Sequence, residues 1–119
     1  MAAYDKNNIF AKILRGEIPC NKVFEDEFVL AFHDIQPAKK KHILVIPKGA
    51  YVSFDDFSAS ASVDEQLGFY RGVQKVAEQE GLTGPGYRLI TNHGTDSGQE
   101  VPHFHVHVLG GENVGSLVA

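Results

Sequence analysis

Seven residues near the C-terminal end, His103-Phe104-His105-Val106-His107-Val108-Leu109, restrict the fold more than any other part of the chain. Their strict alternation suits an extended strand, in which successive side chains point to opposite faces. Three imidazoles then share one face, while Phe104, Val106 and Val108 share the other and can pack on a helix. Such a strand needs a sheet with one side turned to the core and the other left for chemistry.

Three explanations compete for this row. A solvated strand face is one, although Thr, Lys or Glu would serve there as well. A metal site is another, since His-X-His sets two imidazoles on one face and zinc commonly takes three nitrogens plus water. At ~3.3 Å per residue, however, the α-carbons of His103 and His107 lie roughly 13 Å apart, so at most two adjacent members could share an ion. No metal and no cofactor are expected. The third is nucleophilic or acid–base chemistry on a phosphate. A neutral imidazole is a good nucleophile near neutral pH, and a hydrogen bond from one ring nitrogen to a carbonyl fixes the tautomer that frees the other. Neighbouring imidazoles can hold phosphoryl oxygens and protonate a leaving group. The loop running from Asn92 through His93, Gly94 and Gly98 to Glu100 leads into the row, and its glycines let backbone amides approach an anion closely.

At 119 residues the chain is expected to form one domain over 1–119, because single cores commonly run to roughly 100–150 residues. Apolar residues at 43% and charged residues at 22% fit a globular class and exclude low-complexity sequence. A net charge of -4 excludes a general electrostatic grip on nucleic acid, and the basic run Lys39-Lys40-Lys41 reads as a solvated loop. The single cysteine, Cys20, reads as packing and fits a reducing compartment. With no apolar leader and no stretch of ~18 apolar residues, a soluble cytoplasmic protein with no membrane partner is expected.

Asn7 or Asn8 can cap a short helix through Ile9, Phe10, Ile13 and Leu14, ended by Gly16. Strands at Lys22 to Glu25 and Phe28 to His33 read as a hairpin turning at Asp26 and Glu27. His42 to Ile46, closed by Pro47 and Gly49, reads as a buried strand. Ser62-Val63-Asp64-Glu65 has the form of a capping box and opens the long helix, whose predicted apolar stripe is Val63, Leu67, Tyr70, Val73 and Ala77, with Gly81 as C-cap. Tyr87 to Asn92 and His103 to Leu109 read as further strands. Strands without regular βαβ alternation predict an α+β fold with a mainly antiparallel sheet, one long helix and one short one.

The row resembles the His-φ-His-φ-His-φ-φ motif of the histidine triad (HIT) family. The similarity extends through Ile9-Phe10-Ala11-Lys12-Ile13, Glu17-Ile18-Pro19, Ala31-Phe32-His33-Asp34-Ile35, His42 to Lys48, and Gly98-Gln99-Glu100-Val101, with Gly110-Gly111 after the triad. It is strongest to the HINT branch of nucleotide-binding members; the uridylyltransferase branch would carry Gln where this chain has His107. The resemblance implies a five-stranded sheet continued across a homodimer. It also implies hydrolysis of adenosine or guanosine phosphoramidates, giving the nucleoside monophosphate (AMP or GMP) and an amine. By that resemblance His105 is the nucleophile, His103 orients it, His42 joins the same hydrogen-bond network, and His107 contacts the α-phosphate. Asp34 accepts from the ribose hydroxyls. Ile9, Phe10, Ile13, Ile18, Phe32, His33 and Ile35 line the base pocket, while Asn92, Gly98 and Val101 border the phosphate. Two departures from a common family form stand beside the triad: Glu100 where many eukaryotic members have Ser, and Pro102 where many have Tyr. Glu100 could protonate the leaving amine in place of the serine. Dinucleoside polyphosphate hydrolysis, or purine nucleotide sensing without catalysis, are the alternatives the same pocket leaves open.

Overall fold

The computed structural model describes residues 3–117. Helix α1 (Ile9–Leu14) starts at Asn8, whose side-chain oxygen accepts the Ala11 amide at 2.9 Å, and the chain leaves it through Gly16 at φ 77°, where a side chain would be strained. Strands β1 (Lys22–Glu25) and β2 (Val29–His33) follow, joined by a turn in which the Asp26 carboxylate accepts the amides of Phe28 and Val29. Next come β3 (Lys41–Pro47), α2 (Phe54–Ser60), α3 (Val63–Gln79), β4 (Arg88–Ile90), a 3-10 turn at Thr95–Ser97, and β5 (Val106–Gly110). The strands form one five-stranded sheet in the order β1-β2-β3-β5-β4, every neighbouring pair antiparallel, which is the α+β class expected.

Alternation along β2 and β3 sorts the interior into two layers. Val29, Ala31, Ile43 and Val45 turn toward α3 and meet Phe69, Val73, Val76 and Ala77, together with Phe104, Val106 and Val108. Leu30, Phe32, Leu44 and Ile46 turn the other way and meet Phe10 of α1, with Cys20 packed against them. His42 alternates with Leu44 and so lies on the α1 side. None of the helices among the described residues is long and apolar enough to cross a membrane.

The structure corrects five local expectations, one of them the extent of β4, which spans Arg88–Ile90 rather than Tyr87 to Asn92. Helix α3 does open on the Ser62–Glu65 capping box, but Val63, Leu67 and Tyr70 are 80%, 46% and 63% exposed. The buried seam instead runs through Phe69, Gly72, Val73, Val76 and Ala77. Close approach at glycine decides this: a Cβ on Gly72 would lie 2.7 Å from Cγ2 of the fully buried Val29. Helix α2 was not expected, because only Phe57 of its seven residues is buried and so short a segment carries no apolar period. Strand β5 begins at Val106 rather than His103. Pro47 and Pro102 have no N–H to extend the ladder, and the Phe104 amide goes to the Tyr51 carbonyl at 2.8 Å instead. The lysine run is loop only as far as Lys40, since Lys41 opens β3 and its ammonium pairs with Glu80 at 2.9 Å.

Candidate active site

The segment entering β5 builds the site from its main chain outward. His103 is fully buried, and its Nε2 lies 2.9 Å from the Pro47 carbonyl. A carbonyl only accepts, so Nε2 carries the proton. The carbonyl of His103 in turn accepts from Nδ1 of His105 at 2.7 Å, which leaves Nε2 of His105 as a free lone pair. Phe10 sets its ring edge-to-face on His105 with centroids 5.0 Å apart, and the His107 ring meets His105 edge-to-face at 5.1 Å.

A second chain of hydrogen bonds fixes His107. The Ala38 amide donates to Nδ1 of His42 at 2.9 Å, so the His42 proton sits on Nε2. That proton is donated to Nδ1 of His107 at 2.8 Å, and His107 is left with a donor at Nε2. Asp34 stands beside this pair, with Oδ2 3.4 Å from His42 Nε2 and Oδ1 accepting the Gln36 amide at 2.8 Å. Burial is the main force lowering the affinity of these rings for a second proton. It pushes His103 and His107 down to about 4, with repulsion from His105 adding to both and from His42 to His107, and it lowers His42 and His105 against the opposing pull of Asp34. The row is therefore neutral at pH 7.

Among the described residues, Asp34, His42 and His107 bring three ligand atoms within 4.8 Å of one another, and only one of them belongs to the row. Their donor chemistry does not fit a cation. Ligation through Nε2 of His42 would drive its proton onto Nδ1, which faces the Ala38 N–H.

Two adjoining clefts open over these groups. The smaller is lined by His105, His107, Asn92, Gly98, Leu44, Phe10 and Asp34, with Glu100 and Val101 at its border with the second. The larger, about 450 Å³, lies between α1 and β2 and falls within the ~300–1,000 Å³ common for small-molecule sites. Ile9, Phe10, Ile13, Ile18, Phe32, His33 and Ile35 all line it. His33 does so with its side chain turned, by alternation with Val29 and Ala31, toward α3. Asp34, Phe10, Leu44, Glu100 and Val101 border both clefts. His103 and His42 line neither and sit behind the rings that do. The loop before the row is pinned by Gln99, whose amide donates to the carbonyls of Val52 and Val101 and accepts from Gly94. Sequence reasoning missed Leu44, Pro19, Cys20, Asn21 and Gln36 as lining residues. Leu44 could have been found from its alternation with His42; the others carry no such signal.

Comparisons with known proteins show the family. The family model for the HIT domain matches residues 15–114. An uncharacterized HIT-like protein of Azospirillum brasilense is 57% identical over 115 residues, covering 97% of this chain and 94% of its own. A protein of Escherichia coli named purine nucleoside phosphoramidase is 44% identical, covering 96% of this chain and 95% of its own. Among solved structures, a HIT family hydrolase from Clostridium thermocellum superposes with a TM-score of 0.87 at 37% identity, covering 97% of this chain and 99% of that one.

Proposed function

The chain belongs to the HIT family of hydrolases, and from that premise we propose that it hydrolyses purine nucleoside 5′-phosphoramidates to the nucleoside monophosphate and an amine. The observation that carries this reading is the free Nε2 of His105, presented to the smaller cleft by the bond from Nδ1 to the His103 carbonyl. Its lone pair attacks phosphorus, a P–N bond to His105 forms, and the P–N bond to the leaving amine breaks as that nitrogen takes a proton from Glu100 in the cleft lining. Water then displaces the imidazole, forming the P–O bond of the monophosphate and returning a proton to Glu100. The proton on Nε2 of His107 faces the phosphoryl oxygens and offsets their charge in each step. Asp34, at the junction of the clefts, suits the ribose that joins base to phosphate, and the apolar walls from α1 and β2 suit a purine. The E. coli relative's name supports the substrate class.

We place a second copy of the chain over β4. Leu89 and Ile90 of this edge strand are 49% and 37% exposed, and with Phe54, Tyr70 and Tyr87 they line an apolar groove beside α3. An open apolar edge invites pairing, and a two-fold mate closes it.

The test of the activity uses a fluorogenic adenosine phosphoramidate. Wild-type protein should release product and, when quenched, show an added nucleotidyl mass. His105→Ala should bind AMP with little loss and turn over at below about 1% of wild type, because the nucleophile serves bond making more than ground-state contact. Turnover above that level would exclude the role. AMP binding with no turnover by wild-type protein would favour the sensor reading.

A further inference from the structure

Tyr4, in the segment before α1, makes a contact that the reading above does not use. Its hydroxyl oxygen lies 2.6 Å from Nδ1 of His103, and the two rings meet edge-to-face with centroids 5.6 Å apart. Because His103 is fully buried, both ring nitrogens must find partners within the protein. Nε2 spends its proton on the Pro47 carbonyl, so Nδ1 presents a lone pair that only a donor can satisfy. Tyr4 supplies that donor.

The ring of His103 is thus held at both ends, by the N-terminal segment on one side and the last residue of β3 on the other. The main-chain carbonyl of His103 is the acceptor for Nδ1 of His105. We propose that Tyr4 is a positioning residue, whose hydroxyl locks the buried His103 ring and through its carbonyl holds His105 in one tautomer and one orientation. Without the hydroxyl, the tautomer of His103 cannot simply switch, since its Nε2 lone pair would then face the Pro47 carbonyl oxygen. The ring must turn away or admit water, and a ring no longer held at both ends ceases to fix the peptide that carries the His105 acceptor. The catalytic consequence rests on the phosphoramidase reading; the effect on the His105 ring does not.

Tyr4→Phe is the informative variant, because it keeps the ring and its edge contact and deletes only the donor. Two readouts are taken on the full chain. Nitrogen-15 NMR of histidine-labelled protein at pH 7 should show an unprotonated Nδ1 on His103 in wild type. In the variant that resonance should move, and the His105 resonances should move or broaden with it. With an adenosine phosphoramidate, kcat should fall about fivefold to tenfold, the size of one lost hydrogen bond, while KM stays within about twofold. Unchanged His105 resonances would overturn the proposal and leave Tyr4 a plain packing contact. Shifted resonances with unchanged kcat would overturn it as well. If wild-type protein turns over no purine phosphoramidate, the proposed function has failed, and the His105 resonances alone decide the role of Tyr4.

Discussion

Lowering the pH from 7 to 5 should unfold this protein more easily, and His103 sets the size of the effect. In the unfolded chain its imidazole titrates near 6.5. In the fold, burial foremost and then the neighbouring His105, against the opposing bond to Pro47, push it down to about 4. Between those values the unfolded chain binds a proton that the native chain refuses, so acid favours unfolding. The stability is fully present above the unfolded value and is lost at up to about 1.4 kcal/mol per pH unit as the pH falls toward the folded one. Integrated from pH 7 to pH 5, the loss is about 2 kcal/mol, a large share of the ~5–15 kcal/mol that holds a typical domain together. His107, His42 and His105 are shifted in the same direction, so their contributions add to it. Glu25 and Glu80 are shifted below the ordinary carboxylate value, and their effect falls at more acid pH, outside this window. Urea unfolding at pH 7, 6 and 5, at one protein concentration, measures the slope. His103→Gln should remove about 2 kcal/mol of the dependence, since it deletes the titrating group. A wild-type free energy constant to within about 0.5 kcal/mol across this range would refute the idea that burial keeps the row neutral.

Gly72→Ala should destabilise the fold by about 1 kcal/mol, because overpacking against the immobile Val29 costs roughly 1–3 kcal/mol and the helix propensity gained returns only about 1; a raised urea midpoint would contradict the close contact. Glu100→Gln should slow phosphoramidates of strongly basic amines far more than those with good leaving groups, because only the former need a proton in the transition state. Equal slowing in both series would leave Glu100 a lining residue alone. Sedimentation at micromolar concentration should give about 26 kDa, twice the chain mass, and a 13.0 kDa species would leave the β4 edge unpaired.

The alternating row could be read for its two faces because a strand's period is enforced by the backbone itself: Phe104, Val106 and Val108 do enter the α3 layer. Where that strand begins was not legible, since it depends on Pro47, a residue 56 positions away from His103 in sequence. The face of α3 was misjudged for a related reason. Tyr70 and Leu67 look like core by type, yet the glycines at 68 and 72, which carry no apolar signal, are what let the helix approach Phe28 and Val29. In the site, side chains that line the clefts could be named from motif and resemblance. The partners that set the tautomers could not, because the amide of Ala38 and the carbonyls of Pro47 and His103 belong to peptide groups, which are the same at every position.

That last property governs how portable the site is. A peptide group survives side-chain replacement, so position 38 can drift through almost any residue without disturbing His42; proline, which has no N–H, is the exception. Grafting the reverse way fails for the same reason. Three histidines written onto a strand of another scaffold would bring the rings without the amide and the two carbonyls that polarise them. Each imidazole would then sample both tautomers, and the free nitrogen of the middle ring would face the cleft only part of the time. A transplant that works must carry the strand end at Pro47 and the bend at Ala38 together with the row.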